Sequence, residues 1–197
     1  MIIAIIGASG AGKDTLSNTL KEIYGYKEVV SFTTRDMRPG EVNGKNYHFV
    51  SEEEFRNMIS EGIFAEYTEY TQKRFYGTRK EDYLKASNKT VVILTPNGYR
   101  QMQKTLGKEN IFAVLITAPL GTRVKRYIDR CKEEKFTYDD MNEVNARINR
   151  DYGMFLDMEK EVDLVINNSS KTDMVLLAQS VDKAKRKAEK AKKEAEK

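Results

Sequence analysis

The chain has 197 residues, of which 40% are hydrophobic and 32% charged, and this length suits a single domain with inserted subdomains. No apolar run reaches the roughly 18 residues of a membrane span, the lone Cys131 cannot form an internal disulfide, and the N-terminus lacks a signal-peptide pattern, so we expect a cytoplasmic protein. The net charge of +4 does not indicate a nucleic-acid binder, because residues 183–197 alone carry +5 and the rest of the chain is near −1.

Apolar runs alternate with helical patterns along the chain. Residues 1–6 form a short β-rich run that ends at a glycine-rich loop, and residues 16–24 predict a helix. Further continuous apolar runs occupy residues 90–95, 111–117 and 163–167. Continuous rather than alternating hydrophobicity is typical of strands buried on both faces of a parallel sheet. The sequence therefore predicts an α/β fold, a three-layer sandwich with a parallel central sheet.

Two charged or polar segments interrupt this alternation, and we expect them to be insertions that lie outside the core sheet. Residues 31–80 are polar and rich in tyrosine and arginine, and residues 121–160 are helical and charged. We place the core at about residues 1–30, 81–120 and 161–182, and a charged helical tail at about 183–197. Apolar residues recur every three or four positions from Met174, which predicts one long helix that docks until about Val181 and projects beyond it.

A glycine-rich loop links the first apolar run to the first helical pattern. Residues 7–15 have the sequence GASGAGKDT, which matches the phosphate-binding pattern G-x-x-x-x-G-K-[ST] except that Asp14 replaces the hydroxyl residue. Its glycines let the backbone approach a phosphate closely, and its amides and the helix N-terminus favour an anion. Lys13 would neutralise the β- and γ-phosphates. The predicted nucleotide-binding residues here are Gly7, Ala8, Ser9, Gly10, Ala11, Gly12, Lys13, Asp14 and Thr15.

A second group of phosphate-binding residue types lies in residues 31–50, SFTTRDMRPGEVNGKNYHFV. Arg35 and Arg38 carry planar guanidinium groups that match phosphate oxygens, and Ser31 and Tyr47 add hydroxyl groups. Taken alone, this segment leaves two alternatives open, namely a second phosphate-binding site or a solvated basic loop.

Together the two motifs resemble the guanylate kinase family of nucleoside monophosphate kinases. The family pattern S-x-T-T-R-x-x-R-x-x-E-x-x-G-x-x-Y-x-F-V is complete in residues 31–50, and the resemblance continues through FAEYTEY and FYGT to cover roughly residues 1–180. It implies a P-loop NTPase fold, a three-layer α/β sandwich with an inserted NMP-binding subdomain and a mobile lid. Residues 31–80 and 121–160 would be these two insertions.

The resemblance also implies roles for individual residues. The acceptor phosphate would be bound by Ser31, Arg35, Arg38, Tyr47 and Tyr76, with Glu41 as the carboxylate that orients them. Glu66 and Thr78 match the positions that recognise guanine. Glu66 can accept from the guanine N1–H and exocyclic amine, while the Thr78 hydroxyl can donate to O6. Adenine offers no N1–H donor, so this pair predicts strong discrimination against AMP.

The lid arginines are candidates to close over the transferring phosphoryl group, and they are Arg126, Arg130, Arg147 and Arg150. The local sequence TRVKRYIDRCKEEKF departs from the family's R-L-x-x-R-G, and Arg130 with Arg147 is the preferred pair. With Lys13 and Arg35 they form the predicted catalytic set. Asn167, in VINN after the last strand, resembles the position that contacts the adenine edge of ATP.

The chain departs from the family pattern at the end of the third strand. The family's L-D-I-D-x-Q-G is replaced by VILTPNG in residues 92–98, so both carboxylates are absent. Thr95 stands where the second carboxylate lies near the metal, and Asp14 stands where the family has a hydroxyl. We expect the two positions to exchange roles at one Mg²⁺ site, with Asp14 as a ligand and Thr95 holding a coordinated water.

The implied reaction is phosphoryl transfer from ATP to GMP or dGMP, with Mg²⁺ as cofactor. The expected partners are these nucleotides, without nucleic acid or membrane, for a monomer or homodimer. Two other classes stay open. A related group of kinases that phosphorylate ribose 1,5-bisphosphate tolerates Asp after the loop lysine but does not need Glu66 and Thr78. A guanylate-kinase-like protein-binding module often has a degraded phosphate loop, whereas Lys13 is intact here.

Overall fold

The computed structural model of the chain describes residues 1–71, 74–131, 136–169 and 171–196, and the side chains of 70, 71, 130 and 131 are outside the described set. The strands are β1 (Ile2–Ile6), β2 (Lys27–Glu28), β3 (Phe32–Thr33), β4 (His48–Phe49), β5 (Phe64–Thr71), β6 (Arg74–Arg79), β7 (Thr90–Leu94), β8 (Ile111–Thr117) and β9 (Leu164–Asn167). The helices are α1 (Lys13–Tyr24), α2 (Glu52–Ser60), α3 (Lys80–Leu84), α4 (Pro96–Leu106), α5 (Leu120–Cys131), α6 (Tyr138–Met154) and α7 (Met174–Ala195).

The central sheet has five strands in the order β2-β7-β1-β8-β9. The β2–β7 pair is parallel, with Lys27 opposite Thr90, and the β8–β9 pair is parallel from Val114 opposite Leu164 onwards. Strands β1 and β8 are buried along almost their whole length, as expected of strands covered on both faces. The predicted α/β fold with a parallel central sheet is thus confirmed.

The chain divides into two units, which are described separately below. The first comprises Met1–Ala4 and Tyr26–Ile111, and the second comprises Ile5–Gly25 and Phe112–Lys197. The first unit contains the predicted NMP-binding segment 31–80, and the second contains the glycine-rich loop and the predicted lid segment 121–160. The subdomain boundaries given above stay predictions.

In the first unit, residues 31–80 form a small sheet of their own with strand order β4-β3-β6-β5. Its core is a cluster of phenylalanines, Phe32, Phe55, Phe64 and Phe75. Helix α2 enters this cluster because Ser51 accepts from the Glu54 amide and Glu54 reaches back to the Ser51 amide, a capping box that fixes the start of the helix. The rings hold β3, β5 and β6 together, and these strands carry most of the predicted acceptor-binding residues.

In the second unit, the long helix α7 packs against α1. The buried face of α7 includes Val181 and continues to Lys185, which is only 2% exposed and whose ammonium pairs with Glu189 at 2.9 Å. Docking therefore extends at least one turn beyond the predicted end at Val181. A lysine can do this because its aliphatic stem packs while its charge is paired, which the hydrophobic pattern does not reveal. Among the described residues, no helix is long and apolar enough to cross a membrane.

Candidate active site

The glycine-rich loop lies between β1 and α1, the position predicted for a phosphate-binding loop. Gly12 ends the loop with φ of 104°, and a Cβ there would lie 2.3 Å from the Asn168 Nδ2 atom, so only glycine fits. Lys13 donates from Nζ to the carbonyl oxygens of Gly7 at 2.8 Å and Ala8 at 3.3 Å. The N-terminus of α1 favours an anion, and the Lys13 ammonium lies against the loop that is predicted to bind phosphate.

Both backbone groups of Ser9 are held by an ion pair from the predicted lid segment. Arg123 donates from Nε to the Ser9 carbonyl oxygen at 2.9 Å, and Asp151 accepts from the Ser9 amide at 2.9 Å. Arg123 and Asp151 also bond to each other at 2.8 Å. Asp151 is 3% exposed, and both bonds are accepted by its Oδ2 atom, so the buried charge is paired with Arg123. The pair fixes the orientation of the peptide groups on either side of Ser9.

The next loop residues are held by Arg126 and Asn168. Arg126 donates from Nη1 to the carbonyl oxygens of Gly10 at 3.0 Å and Ala11 at 3.3 Å, and from Nη2 to Asn168 Oδ1 at 3.2 Å. Asn168 in turn donates from Nδ2 to the Ala11 carbonyl oxygen at 2.8 Å. These bonds fix the carbonyl groups of Gly10 and Ala11, while the Ala11 amide donates to the Ala8 carbonyl oxygen at 3.1 Å. Asn167, the predicted adenine contact, is the exposed last residue of β9.

Of the other arginines in the predicted lid segment, Arg147 has a well-defined partner in Glu143. Arg147 hydrogen-bonds to the Glu143 carboxylate and lies over the Tyr127 ring, with its guanidinium carbon 5.3 Å from the ring centroid. Tyr127 donates to the same carboxylate at 3.0 Å. Arg150 is half-buried on the same helix as Arg147. The Arg130 side chain is outside the described residues, so Arg147 is the member of the predicted pair whose environment is known.

In the first unit, Arg35 and Glu41 form a nearly buried ion pair. Two nitrogens of Arg35 donate to the two oxygens of Glu41, each at 2.8 Å, and the Arg35 side chain is 8% exposed. Glu41 also accepts from the Arg38 amide at 2.8 Å. The Arg35 guanidinium lowers the pKa of the Glu41 carboxyl below its ordinary range, and the same hydrogen bonds raise the pKa of Arg35. Glu41 therefore holds the guanidinium plane in one orientation.

Aromatic rings complete the surroundings of Arg35. The guanidinium carbon lies 5.3 Å from the centroid of the Tyr47 ring and 5.4 Å from that of Phe49, and Tyr47 packs edge-to-face on Tyr76 at 5.8 Å. Tyr76 also hydrogen-bonds to Arg35. The Arg38 side chain is exposed. A buried, oriented arginine in contact with two tyrosines has the types of group that bind a phosphate dianion, and Arg38 in the same segment adds a second, exposed guanidinium.

A buried carboxylate, Glu66, lies on β5 opposite Thr78 on β6. Glu66 is 5% exposed, and burial raises the pKa of its carboxyl to about 7, although hydrogen bonds from the side chain and backbone of Thr78 oppose this rise. The Thr78 hydroxyl is also 2.8 Å from the Ser31 hydroxyl. Either hydroxyl can be the donor in this hydrogen bond. The three side chains form one chain of hydrogen bonds that ends at a carboxylate able to accept further donors.

The two residues predicted to hold a metal ion, Asp14 and Thr95, both lie at helix N-termini. Asp14 is exposed in the first turn of α1, where a carboxylate is favoured by the helix dipole. Thr95 is the N-cap of α4, and its hydroxyl accepts from the Gly98 amide at 3.0 Å and lies 3.0 Å from the Thr68 hydroxyl. A hydroxyl oxygen can accept two hydrogen bonds, and the Gly98 amide uses one of those of Thr95. This hydroxyl therefore has fewer hydrogen bonds left for the predicted metal-bound water. The exchange of roles between the two positions stays a prediction.

Comparison with known proteins gives the family. The profile described as "Guanylate kinase" matches residues 1–187. The chain belongs to the guanylate kinase family. "Guanylate kinase" of Lactiplantibacillus plantarum is 37% identical over 157 residues, which cover 75% of this chain and 70% of that protein. "Guanylate kinase" of Blochmanniella floridana is 38% identical over 122 residues, which cover 60% of this chain. The aligned part spans only 58% of that protein's length.

A solved structure supports the guanylate kinase fold. The crystal structure of guanylate kinase from Anaplasma phagocytophilum matches with a TM-score of 0.67 at 23% identity, covering 94% of this chain and 84% of that chain. The α/β fold predicted from the sequence is therefore the fold of a solved guanylate kinase.

Three residues that the sequence analysis did not assign to the site contact the glycine-rich loop, namely Arg123, Asp151 and Asn168. Asn168 could have been suspected, because VINN presents two asparagines and the second is the buried one. Asp151 is separated from Ser9 by 142 residues, and no local pattern marks the contact. A carboxylate next to a lid arginine was the available signal, but alone it predicts only a surface ion pair.

Proposed function

We propose that the protein transfers the γ-phosphoryl group of ATP to GMP or dGMP, giving ADP and GDP or dGDP. The observation that carries the proposal is the buried Glu66 carboxylate, bonded to Thr78, in the same unit as the Arg35–Glu41 pair. A base-recognising acid and a phosphate-binding arginine in one unit match the two ends of a nucleoside monophosphate. The relatives named "Guanylate kinase" support guanine as the base.

The acceptor is recognised by complementary hydrogen bonds. An ionised Glu66 accepts from the N1–H and exocyclic amine of guanine, which are both donors. The Thr78 hydroxyl turns from Glu66 towards O6, since guanine replaces it as the donor to the carboxylate. Arg35 keeps its bond to Glu41 and offers its remaining donors to the monophosphate, and Ser31, Arg38, Tyr47 and Tyr76 complete the phosphate contacts. Adenine would leave the buried carboxylate facing an acceptor, which is strongly unfavourable.

The donor is bound by the glycine-rich loop. The loop amides contact the phosphates, and Lys13 moves from the Gly7 and Ala8 carbonyl oxygens to the β- and γ-phosphates. Asn167 contacts the adenine edge. In the transfer, an oxygen of the acceptor phosphate bonds to the γ-phosphorus while the bond to the ADP oxygen breaks. Lys13 with Arg35, Arg130 and Arg147 neutralises the charge on the transferring group, and little covalent chemistry is required.

The residues present fit Mg²⁺ bound mainly by substrate. Among the described residues, no group of three or more His, Cys, Asp or Glu side chains is arranged to hold a metal ion. Mg²⁺ needs no such group when ATP is present, because it takes phosphate oxygens, several waters and one or two carboxylates. Asp14 is the residue that would supply the carboxylate, with Thr95 holding a water. When bound, Mg²⁺ would neutralise part of the charge on the ATP phosphates.

Asp14 should make ATP binding depend strongly on Mg²⁺. Without the ion its carboxylate repels the phosphates, so we expect Asp14→Asn to bind ATP in the absence of Mg²⁺ about tenfold more tightly than the parent. With Mg²⁺ the order should reverse, because the variant lacks the charged ligand. Isothermal titration with ATP, with and without Mg²⁺, measures both effects. If Asp14 acts only as a helix N-terminal charge, the variant will show the same Mg²⁺ dependence as the parent, with a stability loss of about 0.3–1 kcal/mol.

The proposed function is tested by measuring ADP release against a panel of acceptors. We expect GMP and dGMP to be phosphorylated and AMP, CMP and UMP to be used at rates lower by about 10²-fold or more. Ribose 1,5-bisphosphate belongs in the panel, because activity on it alone would establish the related sugar-phosphate kinase. Absence of ADP release with every acceptor would favour the protein-binding module.

A further inference from the structure

Gly98 lies directly against the carboxylate of Glu66. A Cβ atom built on Gly98 would be 2.7 Å from Glu66 Oε2 and 3.5 Å from its Cδ. The first distance is well inside van der Waals contact, so a side chain at position 98 and the present position of the carboxylate exclude each other. Gly98 itself is buried, in the first turn of α4.

The helix that carries Gly98 cannot easily retreat from β5. Thr105 donates to the Ala65 carbonyl oxygen at 3.0 Å, and the Gln101 side chain bonds to both the amide and the carbonyl oxygen of Tyr67, at 3.2 and 2.9 Å. These bonds fasten α4 to the strand residues on either side of Glu66. The Gly98 amide is in turn fixed by the Thr95 hydroxyl at 3.0 Å.

The helix geometry at position 98 does not itself require glycine. Gly98 is within α4, and its φ is not in the left-handed region, so alanine would be compatible with the backbone and better suited to a helix. The added Cβ would lie 3.3 Å from Thr95 Oγ1, a close contact that a shift of a few tenths of an ångström relieves. The serious conflict is therefore with Glu66 alone.

We infer that Gly98 is a positioning residue for guanine recognition, because its missing side chain is the space that places the Glu66 carboxylate. The inference rests on the proposed function, in which that carboxylate accepts from the base. With a side chain at position 98 the carboxylate moves away from its place opposite Thr78, while the buried strand and the α4 contacts remain. The effect is then on acceptor affinity and base choice, not on the donor site.

The test compares Gly98→Ala with Gly121→Ala in the full chain. Gly121 is also in the first turn of its helix, but a Cβ there would meet nothing within 4 Å, so it reports the effect of alanine without displacement. We expect Gly98→Ala to raise the KM for GMP by about tenfold or more and to narrow the preference for GMP over AMP. The KM for ATP and the thermal midpoint should change little. Gly121→Ala should match the parent in all of these.

A second pair of variants shows whether Gly98 acts through Glu66. In a Glu66→Ala background no carboxylate is left to displace, so adding Gly98→Ala should change the KM for GMP no further, and this double variant should fold even if the single one does not. Such non-additivity is the mark of coupled neighbours.

Three results would overturn the inference. These are an unchanged KM for GMP in Gly98→Ala, a rise in the ATP KM equal to that for GMP, and a full additional loss in the Glu66→Ala background. If the parent phosphorylates no GMP, the proposed function has failed and the inference falls with it. If the parent uses GMP and Gly98→Ala matches it, only the role of Gly98 is refuted.

Discussion

Glu66→Gln is expected to lower kcat/KM for GMP by about 10²-fold or more, because a charged acceptor is lost from a buried site. The amide has the same size, so packing is kept, but one of its two polar groups is a donor that faces a donor of guanine. The KM for ATP should stay close to that of the parent. Steady-state kinetics at pH 8, where the parent carboxyl is ionised, measures the effect. Unchanged GMP kinetics would refute the base-recognising role.

The pH dependence of kcat/KM for GMP, compared between the parent and Glu66→Gln, tests the role of the carboxylate directly. Since burial raises the pKa of Glu66 to about 7, the parent should lose kcat/KM for GMP as the pH falls from 8 to 6. Tyr83 does not compete in this range, because burial and the nearby Glu66 raise the pKa of its hydroxyl well above its ordinary value. The GMP phosphate takes up a proton near pH 6, but it does so with both proteins. The ratio of parent to variant therefore isolates Glu66, and a ratio independent of pH would contradict the assignment.

The same carboxylate should make the parent less stable at high pH. Between 4.5, its ordinary value, and about 7 the folded chain keeps the Glu66 proton while the unfolded chain releases it, so the free energy of unfolding falls as the pH rises. The full difference corresponds to about 3 kcal/mol above pH 7. Glu66→Gln should thus be more stable than the parent at pH 8 and equal to it near pH 4.5. Urea unfolding at both pH values checks this, and a gain that is the same at each pH would show that packing, not charge, is responsible.

Local patterns predicted the parts of the structure that depend on neighbouring residues. The glycine-rich loop between strand and helix and the buried strands follow from short-range sequence, and they are where the sequence predicts them. The partnership of Glu66 with Thr78 came from family resemblance, and the antiparallel register of β5 and β6 supplies the physical reason for it. Their function in binding guanine stays a prediction.

Contacts between distant residues were not predictable from these patterns. Arg126, a candidate to close over the transferring phosphoryl group, donates to loop carbonyl oxygens, a contact that the sequence does not indicate. Lys185 belongs to a charged stretch that predicts a solvated helix, yet it is buried because its charge is paired one turn later. The Thr95 hydroxyl was assigned to a metal-bound water, while in the structure it caps α4. In each case a polar group found a backbone or ionic partner that hydrophobic periodicity cannot indicate.

Arg35→Ala is expected to raise the KM for GMP by about 10²-fold while the KM for ATP changes far less. Two hydrogen bonds of a charged donor to phosphate are lost, each of which contributes roughly 1.5–3 kcal/mol. Loss of the guanidinium also leaves Glu41, which is 18% exposed, facing the phosphate without a counter-charge. Without Arg35 the negative charge of Glu41 is no longer neutralised, and it repels the acceptor phosphate. Arg35→Lys should recover only part of the affinity, because an ammonium cannot bond to Glu41 and to phosphate in one plane.

Arg79→Ala is the matched control, because Arg79 also forms a bidentate ion pair with a carboxylate in the same unit. Its Nε and Nη2 donate to the two oxygens of Asp82, each at 2.9 Å, and its guanidinium lies over the Phe32 ring as that of Arg35 lies over Tyr47. Both variants lose a bidentate pair and a ring contact, so both should lose stability, and the less exposed Arg35 should cost more. Only Arg35→Ala should raise the KM for GMP. An equal rise in the KM for GMP in both variants would mean that the kinetic loss results from a destabilised first unit. A rise in the KM for ATP alone would mean that residues 31–50 bind the donor.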